Sequence, residues 1–201
     1  MFEIVISSRN REKKRELKAL LKGLGIKVLD LNDFPGSPKV KETGKTFEAN
    51  ARLKALKIAK YTKRLVVADD SGLAVKALGG RPGVRSARFA GNKADYEGNN
   101  RKLLRLLGSV PGNKRGAKFV SVVAIAGPDG IKGIVRGECS GRITFEPKGA
   151  NGFGYDPVFF SPEFKKTFAE LSASQKNSIS HRGRALKKAR TIIRSLRRSH
   201  F

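Results

Sequence analysis

Short apolar runs alternate with segments of helical spacing along this chain. Ile4–Ser8 predicts a first strand, and Leu17, Leu20, Leu21 and Leu24 then recur at the spacing of an amphipathic helix that Gly23 and Gly25 bring to a stop. Ile26–Leu31 predicts a second strand, and Phe34–Gly44, punctuated by Pro35, Gly36 and Pro38, a loop. Over Thr46–Tyr61 the pattern is again helical. Thr46 is placed to cap it, Phe47, Ala51, Ala55 and Ile58 form one stripe, and Asn50, Lys54 and Lys57 stack on another face. Leu65–Ala68 predicts a strand that ends at Asp69 and Asp70. Ser71 then stands as an N-cap for a short apolar run, Leu73–Leu78, and a further helix is predicted around Ala94–Leu107.

The second half opens with two strands, Ala117–Ala126 and Ile131–Cys139, joined by the turn Gly127-Pro128-Asp129-Gly130. The first is almost continuously apolar, as a strand covered on both faces would be. Gly141–Glu146 is placed to extend the sheet, and Val158–Phe160 predicts one more short strand. Ala185, Leu186, Ala189, Ile192, Ile193 and Leu196 mark a final amphipathic helix over Gly183–Arg198. Strands and helices mix throughout, which predicts an α/β or α+β fold on a mixed sheet.

Composition adds three bounds. With 201 residues, 39% of them hydrophobic and 30% charged, the chain is long and apolar enough to bury a core. A single cysteine, Cys139, excludes an internal disulfide and a multi-cysteine zinc site. No secretory leader is visible at Met1–Ile4, and the apolar runs, such as Val122–Ala126, are too short to span a bilayer, so a cytoplasmic setting without membrane is expected. The charge changes the picture more. Forty-three Lys and Arg against 17 Asp and Glu give a net charge of +26, which favours polyanions as partners: nucleotides, phosphates or nucleic acid. The cations are spread through every helical segment, however, and no zinc-finger or RNP-type motif accompanies them.

Four places carry residue types suited to chemistry. Asp69 and Asp70 follow a strand and precede a helix-capping serine, a setting for a divalent cation and phosphate oxygens. The same residues also fit a junction whose aspartates only cap the helix. Neighbouring side chains on a strand point to opposite faces, which favours one carboxylate doing chemistry and the other supporting it. Ser7–Lys13 sets hydroxyls, an amide and a lysine where the first strand hands over to the first helix, and suits either phosphate or a plain N-cap. In Asn151-Gly152-Phe153-Gly154-Tyr155-Asp156-Pro157, glycines let a flat ligand approach while an aromatic ring offers a stacking face, and the same rings equally fit ordinary core plugs beside a turn. Ser180-His181-Arg182-Gly183 holds the one histidine away from the C-terminus, which suits either donation with Arg182 to a ligand carbonyl or a plain helix cap. With no GxSxG elbow beside it, a Ser-His-Asp hydrolase is disfavoured.

Read in order, four blocks resemble the inosine/xanthosine triphosphate pyrophosphatases: Ser8–Lys13 with Arg15-Glu16-Leu17; Thr46–Ala51 with Lys54-Ala55; Ala68–Gly91, containing ADDSGL and LGGRPGVRSARFAG; and Asn151–Pro157 running through Lys166–Glu170 and Lys176-Asn177 to Ser180–Gly183. The resemblance spans nearly the whole chain. It implies a long, twisted mixed sheet with helices, one domain over residues 1–201 in two lobes around a cleft, and a homodimer using Mg²⁺. It also implies hydrolysis of deaminated purine triphosphates (ITP, dITP, XTP) to monophosphate and pyrophosphate. Carried over residue by residue, Asp70 would accept a proton and contact the metal, with Glu42 a second metal candidate and Asp69 and Lys54 in supporting catalytic roles. Ser8, Arg9, Asn10, Arg11, Glu12, Lys13 and Ser71 would meet the triphosphate. Phe153 and Gly154 would take the base, Tyr155 and Asp156 would shape its pocket, and Lys176, His181 and Arg182 would read its edge. The chain departs from the family at Arg9 and Glu12, where glycines are usual. Two other readings stand beside this one: a basic protein that binds RNA or DNA through surface charge, and a Maf-type pyrophosphatase acting on other nucleotides.

Overall fold

Ile4, Val5 and Ile6 are fully buried in β1 (Glu3–Ile6), as a strand with neighbours on both edges requires. In the computed structural model, which describes residues 2–91 and 95–199, β1 pairs in parallel with β2 (Lys27–Asp30) and with β3 (Leu65–Val75). The sheet has seven strands in the order β2-β1-β3-β4-β5-β6-β7. β4 (Gly116–Gly127) and β5 (Gly130–Ile143) form the predicted hairpin through Pro128 and Asp129. β6 (Phe159–Ser161) is antiparallel to both β5 and β7 (Lys166–Thr167). With parallel pairs at one end, antiparallel pairs at the other and helices between strands, this is the mixed-sheet α/β class that the pattern predicts.

The chain divides into two compact units. The first comprises Met1–Asp70, Ser121–Gly137 and Arg182–Phe201. Its core packs Ile4, Ile6 and Val67 of the sheet against Leu17 and Leu21 of α1 (Arg11–Leu21) and Leu186, Ala189 and Ile193 of α5 (His181–Arg198). α2 (Phe47–Thr62) also belongs here. It is capped by Thr46, whose hydroxyl accepts from Ala49 N–H, and buries Ala51, Ala55 and Ile58 as predicted. The second unit comprises Ser71–Val120 and Glu138–His181. Its core gathers Leu73 and Val75, Leu103 of α3 (Tyr96–Leu106), and the rings of Phe119, Phe159 and Phe168. Arg115 is buried there too. Its guanidinium donates to the carbonyls of Leu107, Val110, Ile143 and Thr144, so its charge is met by backbone dipoles, that of Leu107 at the C-cap of α3.

One expectation is overturned at a place that matters. The pattern predicts a strand ending at Ala68 and a helix capped by Ser71, but β3 runs on through Asp69, Asp70 and Ser71 to Val75. Between β1 and β4 the extended backbone finds ladder partners, Leu73 and Val75 are fully buried, and Leu73 N–H donates to Ser86 Oγ at 2.9 Å. Only a three-residue 3₁₀ turn, Lys76–Leu78, follows. The tertiary pairing outweighs the cap signal. Smaller differences are that α5 starts at His181, two residues before the expected Gly183, and that Ala94, expected to open α3, lies outside the described residues. A further helix, α4 (Ala173–Ile179), stands behind a Ser172–Gln175 capping box that the periodicity does not reveal. Among the described residues no helix is long and apolar enough to cross a membrane.

Candidate functional site

In the first unit the continuation of β3 sends the Asp69 and Asp70 side chains to different partners. Asp69 is fully buried and meets Lys13 Nζ at 2.9 Å, the Ser121 hydroxyl at 2.6 Å and Arg182 Nη2 at 3.5 Å. Arg182 is itself buried and also donates to Glu16 of α1. Asp70 accepts instead from Lys54 Nζ at 2.9 Å and from Asn50 Nδ2 at 3.3 Å, one helical turn apart on α2. The Lys54 ammonium donates to Glu42 Oε1 at 2.7 Å and to the Asp69 carbonyl at 2.7 Å as well, which uses all three of its donors. Asn50 Oδ1 accepts from Gly44 N–H at 2.7 Å and so holds the Glu42-Thr43-Gly44 turn against the same helix. Gly44 has no room for a side chain there: a Cβ would lie 2.7 Å from Asn50 Oδ1 and from the Ala49 methyl.

These surroundings split the two carboxyls. Burial pushes Asp69 up, but Lys13, Arg182, the Ser121 hydroxyl and Lys54 together hold it well below the usual carboxylate range. Burial pushes Asp70 up too, and there Lys54 and Lys13 do not offset it. With Glu42 adding like-charge repulsion, Asp70 ends above the ordinary aspartate value. Burial would lower Lys54, yet Asp70 and Glu42 raise it, which keeps the ammonium charged. One carboxylate is thus locked as an anion and its neighbour is poised to take up a proton.

In the second unit Phe153, Asp156 and Lys176 form a second cluster. Asp156 Oδ2 accepts from Phe153 N–H at 2.8 Å and from Lys176 Nζ at 2.6 Å, and the same ammonium lies 4.8 Å from the centre of the half-buried Phe153 ring. Gly152 has a φ of 75° and leaves no space for a Cβ against the Asp156 carboxylate. Gly154, with a φ of 67°, has open space where a Cβ would be, and its carbonyl accepts from Asn100 Nδ2 at 2.9 Å. Tyr155 is buried with its hydroxyl donating to the Ser86 carbonyl at 2.9 Å, and burial raises its phenol. The buried His181 ring lies parallel to Phe119, 4.6 Å between centroids.

The model of the Ham1 family matches residues 4–192. The chain is also 52% identical to the dITP/XTP pyrophosphatase of Desulforamulus reducens over 97% of both chains, and 51% identical to that of Geobacillus kaustophilus over 94% of this chain and 92% of the relative. The chain belongs to the Ham1 family. Its fold agrees with solved Ham1 structures. The Staphylococcus aureus protein superposes with a TM-score of 0.86 at 42% identity, covering 96% of this chain and 98% of the other. The Coxiella burnetii protein gives 0.87 at 41% identity with the same coverage.

Within this Ham1 chain the predicted residues separate into those that gather and those that do not. Asp69, Asp70, Lys54, Lys13 and Glu42 come together in the first unit; Phe153, Gly154, Tyr155, Asp156 and Lys176 in the second. Around Lys13, Asn10 caps α1 by accepting from Lys13 N–H at 2.9 Å, and Ser8 Oγ accepts from Asn10 N–H at 3.3 Å. Arg9 turns to the Ser37 carbonyl at 2.8 Å, Arg11 is exposed, and Glu12 pairs with Arg15 one turn on, so none of these three joins the Asp69–Asp70 cluster. Ser71 sits half-buried inside β3, not at a helix start. Arg182, expected at a base edge, is engaged by Glu16 and Asp69. Glu16, Asn50 and Ser121 escape sequence reasoning as site residues because their partners lie far away along the chain. The one local signal is Asn50, four residues before Lys54 on a polar face.

The donor set fits Mg²⁺. Asp70 and Glu42 are two carboxylates whose oxygens already converge on one cationic atom, Lys54 Nζ. Among the described residues no group of three His, Cys, Asp or Glu could hold a metal. Mg²⁺ bound by one or two carboxylates, with waters and substrate phosphates completing its shell, needs no more than that.

Proposed function

We propose that the protein hydrolyses deaminated purine nucleoside triphosphates, dITP, ITP and XTP, to the monophosphate and pyrophosphate. The observation that carries this reading is the geometry of the pair on β3: Asp69 held by Lys13, Arg182 and Ser121, beside Asp70, which shares Lys54 with Glu42. Family membership, and the dITP/XTP pyrophosphatase names of its relatives, support the substrate class. Asp70 accepts the proton of the attacking water, whose oxygen bonds to the α-phosphorus as the α–β bridging bond breaks and pyrophosphate leaves. Lys13 and Lys54, with Ser8, Asn10 and Ser71, position the triphosphate and neutralise its charge. Asp69 is a positioning residue: it holds Lys13 and is itself fixed by Arg182 and Ser121. Phe153 stacks on the base, Tyr155 and Asp156 shape its pocket, and Lys176, oriented by Asp156, donates to the 6-keto oxygen, with His181 also reading the base edge. Asp70 and Glu42 would hold Mg²⁺, which when bound would supply charge neutralisation at the phosphates and lower the pKa of a bound water.

The test is the product formed from dITP with Mg²⁺. Equimolar dIMP and pyrophosphate are expected, with turnover abolished by a chelator and restored by Mg²⁺. Release of orthophosphate instead would overturn the reading. A cytoplasmic homodimer goes with it, and sedimentation should return twice the 21.9 kDa chain mass.

A further inference from the structure

The outer face of α5 is not accounted for by nucleotide hydrolysis. The helix spans 18 residues, His181–Arg198, without one Asp or Glu. Its apolar side is fully committed: Ala185, Leu186, Ala189 and Ile193 are buried in the first unit's core. Two of its arginines are used inward as staples. Arg190 donates to the carbonyls of Leu20 and Lys22 at 2.6 and 3.0 Å, and Arg197 to that of Leu24 at 2.5 Å. Gly25 leaves room for that second guanidinium, since a Cβ there would stand 2.7 Å from Arg197 Nη1. Lys187, Arg194 and Arg198 point outward on one stripe, exposed and, among the described residues, outside every side-chain hydrogen bond and ion pair. Helical rise spreads them over about 16 Å. Where the helix ends, Gly23, Leu24, Arg194, Arg197 and Arg198 line a groove of about 510 Å³ with no carboxylate among them.

We propose that this face, the Lys187–Arg194–Arg198 stripe with the arginine groove at its end, is a docking surface for the phosphate backbone of duplex nucleic acid, bound without sequence preference. A line of cations without acidic interruption matches a partner whose negative charges repeat regularly along its length. The stripe's cations suit phosphate contacts, which position a protein on the duplex without carrying sequence information. An anionic membrane fits less well because the apolar side of α5 is already buried and no large apolar side chain of the helix is exposed to enter a bilayer.

Fluorescence anisotropy of a mixed-sequence DNA duplex, titrated with the full chain at several salt concentrations, tests this. Binding should weaken linearly in log–log form as salt rises. The triple variant Lys187→Gln, Arg194→Gln, Arg198→Gln should make that slope shallower by about 2.7, roughly 0.9 for each phosphate no longer neutralised. Removing the same charge elsewhere, by Arg105→Gln, Lys114→Gln and Lys165→Gln, should leave the slope within about 0.9 of the parent's, the equivalent of a single phosphate. Circular dichroism melts confirm that both variants fold. Absence of duplex binding, or equal flattening by both triple variants, would overturn the surface. Tighter binding to phosphatidylserine vesicles than to duplex at matched charge concentration would overturn nucleic acid as its occupant.

Discussion

Two adjacent aspartates with opposite electrostatic fates are the centre of this protein. Asp69 sits among Lys13, Arg182 and Ser121, which hold its carboxyl below the ordinary range against the effect of burial. Its ionic contribution to stability is therefore complete above the usual carboxylate range and is lost as pH falls through the depressed folded value. Asp69→Asn should cost about 3–5 kcal/mol at neutral pH by leaving buried cations uncompensated. In thermal melts of the metal-free protein that gap should narrow under acid conditions. A pH-independent gap would mean that charge is not what Asp69 contributes. Asp70 runs the other way. Its raised value means the folded protein holds a proton better than the unfolded chain, so its ionisation lowers stability as pH climbs from the ordinary aspartate value to the raised one. Asp70→Asn should leave the metal-free Tm equal to or above the parent's while reducing kcat by about 10²–10⁴-fold. Near-normal turnover would remove Asp70 as proton acceptor. At this scale the aspartates themselves are legible from their place after an apolar strand. Their partners are not, because Ser121 and Arg182 lie 52 and 113 residues from Asp69 and nothing local marks the pairing.

At the scale of elements, periodicity locates most helices and strands and goes wrong where two signals compete. Ser71 before an apolar run reads as a helix cap, but the same residues alternate well enough to continue a central strand, and the neighbouring strands decide the matter. That outcome has a chemical consequence. Only an uninterrupted strand sends Asp69 and Asp70 to separate sets of partners. α2 is legible in full, including its cap, and its polar face proves to be the arm that carries Asn50 and Lys54 to Asp70. The glycine-rich Asn151–Pro157 segment reads as permissive for a flat ligand. Its glycines turn out to have distinct duties, Gly152 making room for Asp156 and Gly154 supplying a left-handed bend with open space above it. Gly152→Ala should therefore destabilise by more than about 1 kcal/mol and raise KM for dITP more than it lowers kcat, by disturbing the Asp156–Lys176 pair. Unchanged melting and kinetics would show that the close fit at Gly152 is dispensable.

At the scale of the molecule, the mixed sheet is legible from the order of strands and helices, whereas the bounds of the two units are not. Each is assembled from separate stretches of chain, and β3 itself crosses from one to the other at Asp70 and Ser71, where no linker marks a boundary. The +26 charge is legible at once but its use is not, since composition cannot tell inward staples such as Arg190 and Arg197 from the outward stripe of α5. Substrate choice rests, in the proposed reading, on the Phe153–Asp156–Lys176 cluster. In that reading a 6-keto purine would offer Lys176 an acceptor where adenine presents an amino donor, which would leave both groups unpaired. The most direct test is kcat/KM for dITP and XTP against dATP with Mg²⁺ under one set of conditions. Preference for the deaminated purines by at least about 100-fold is expected; hydrolysis of dATP at a comparable rate would contradict the account.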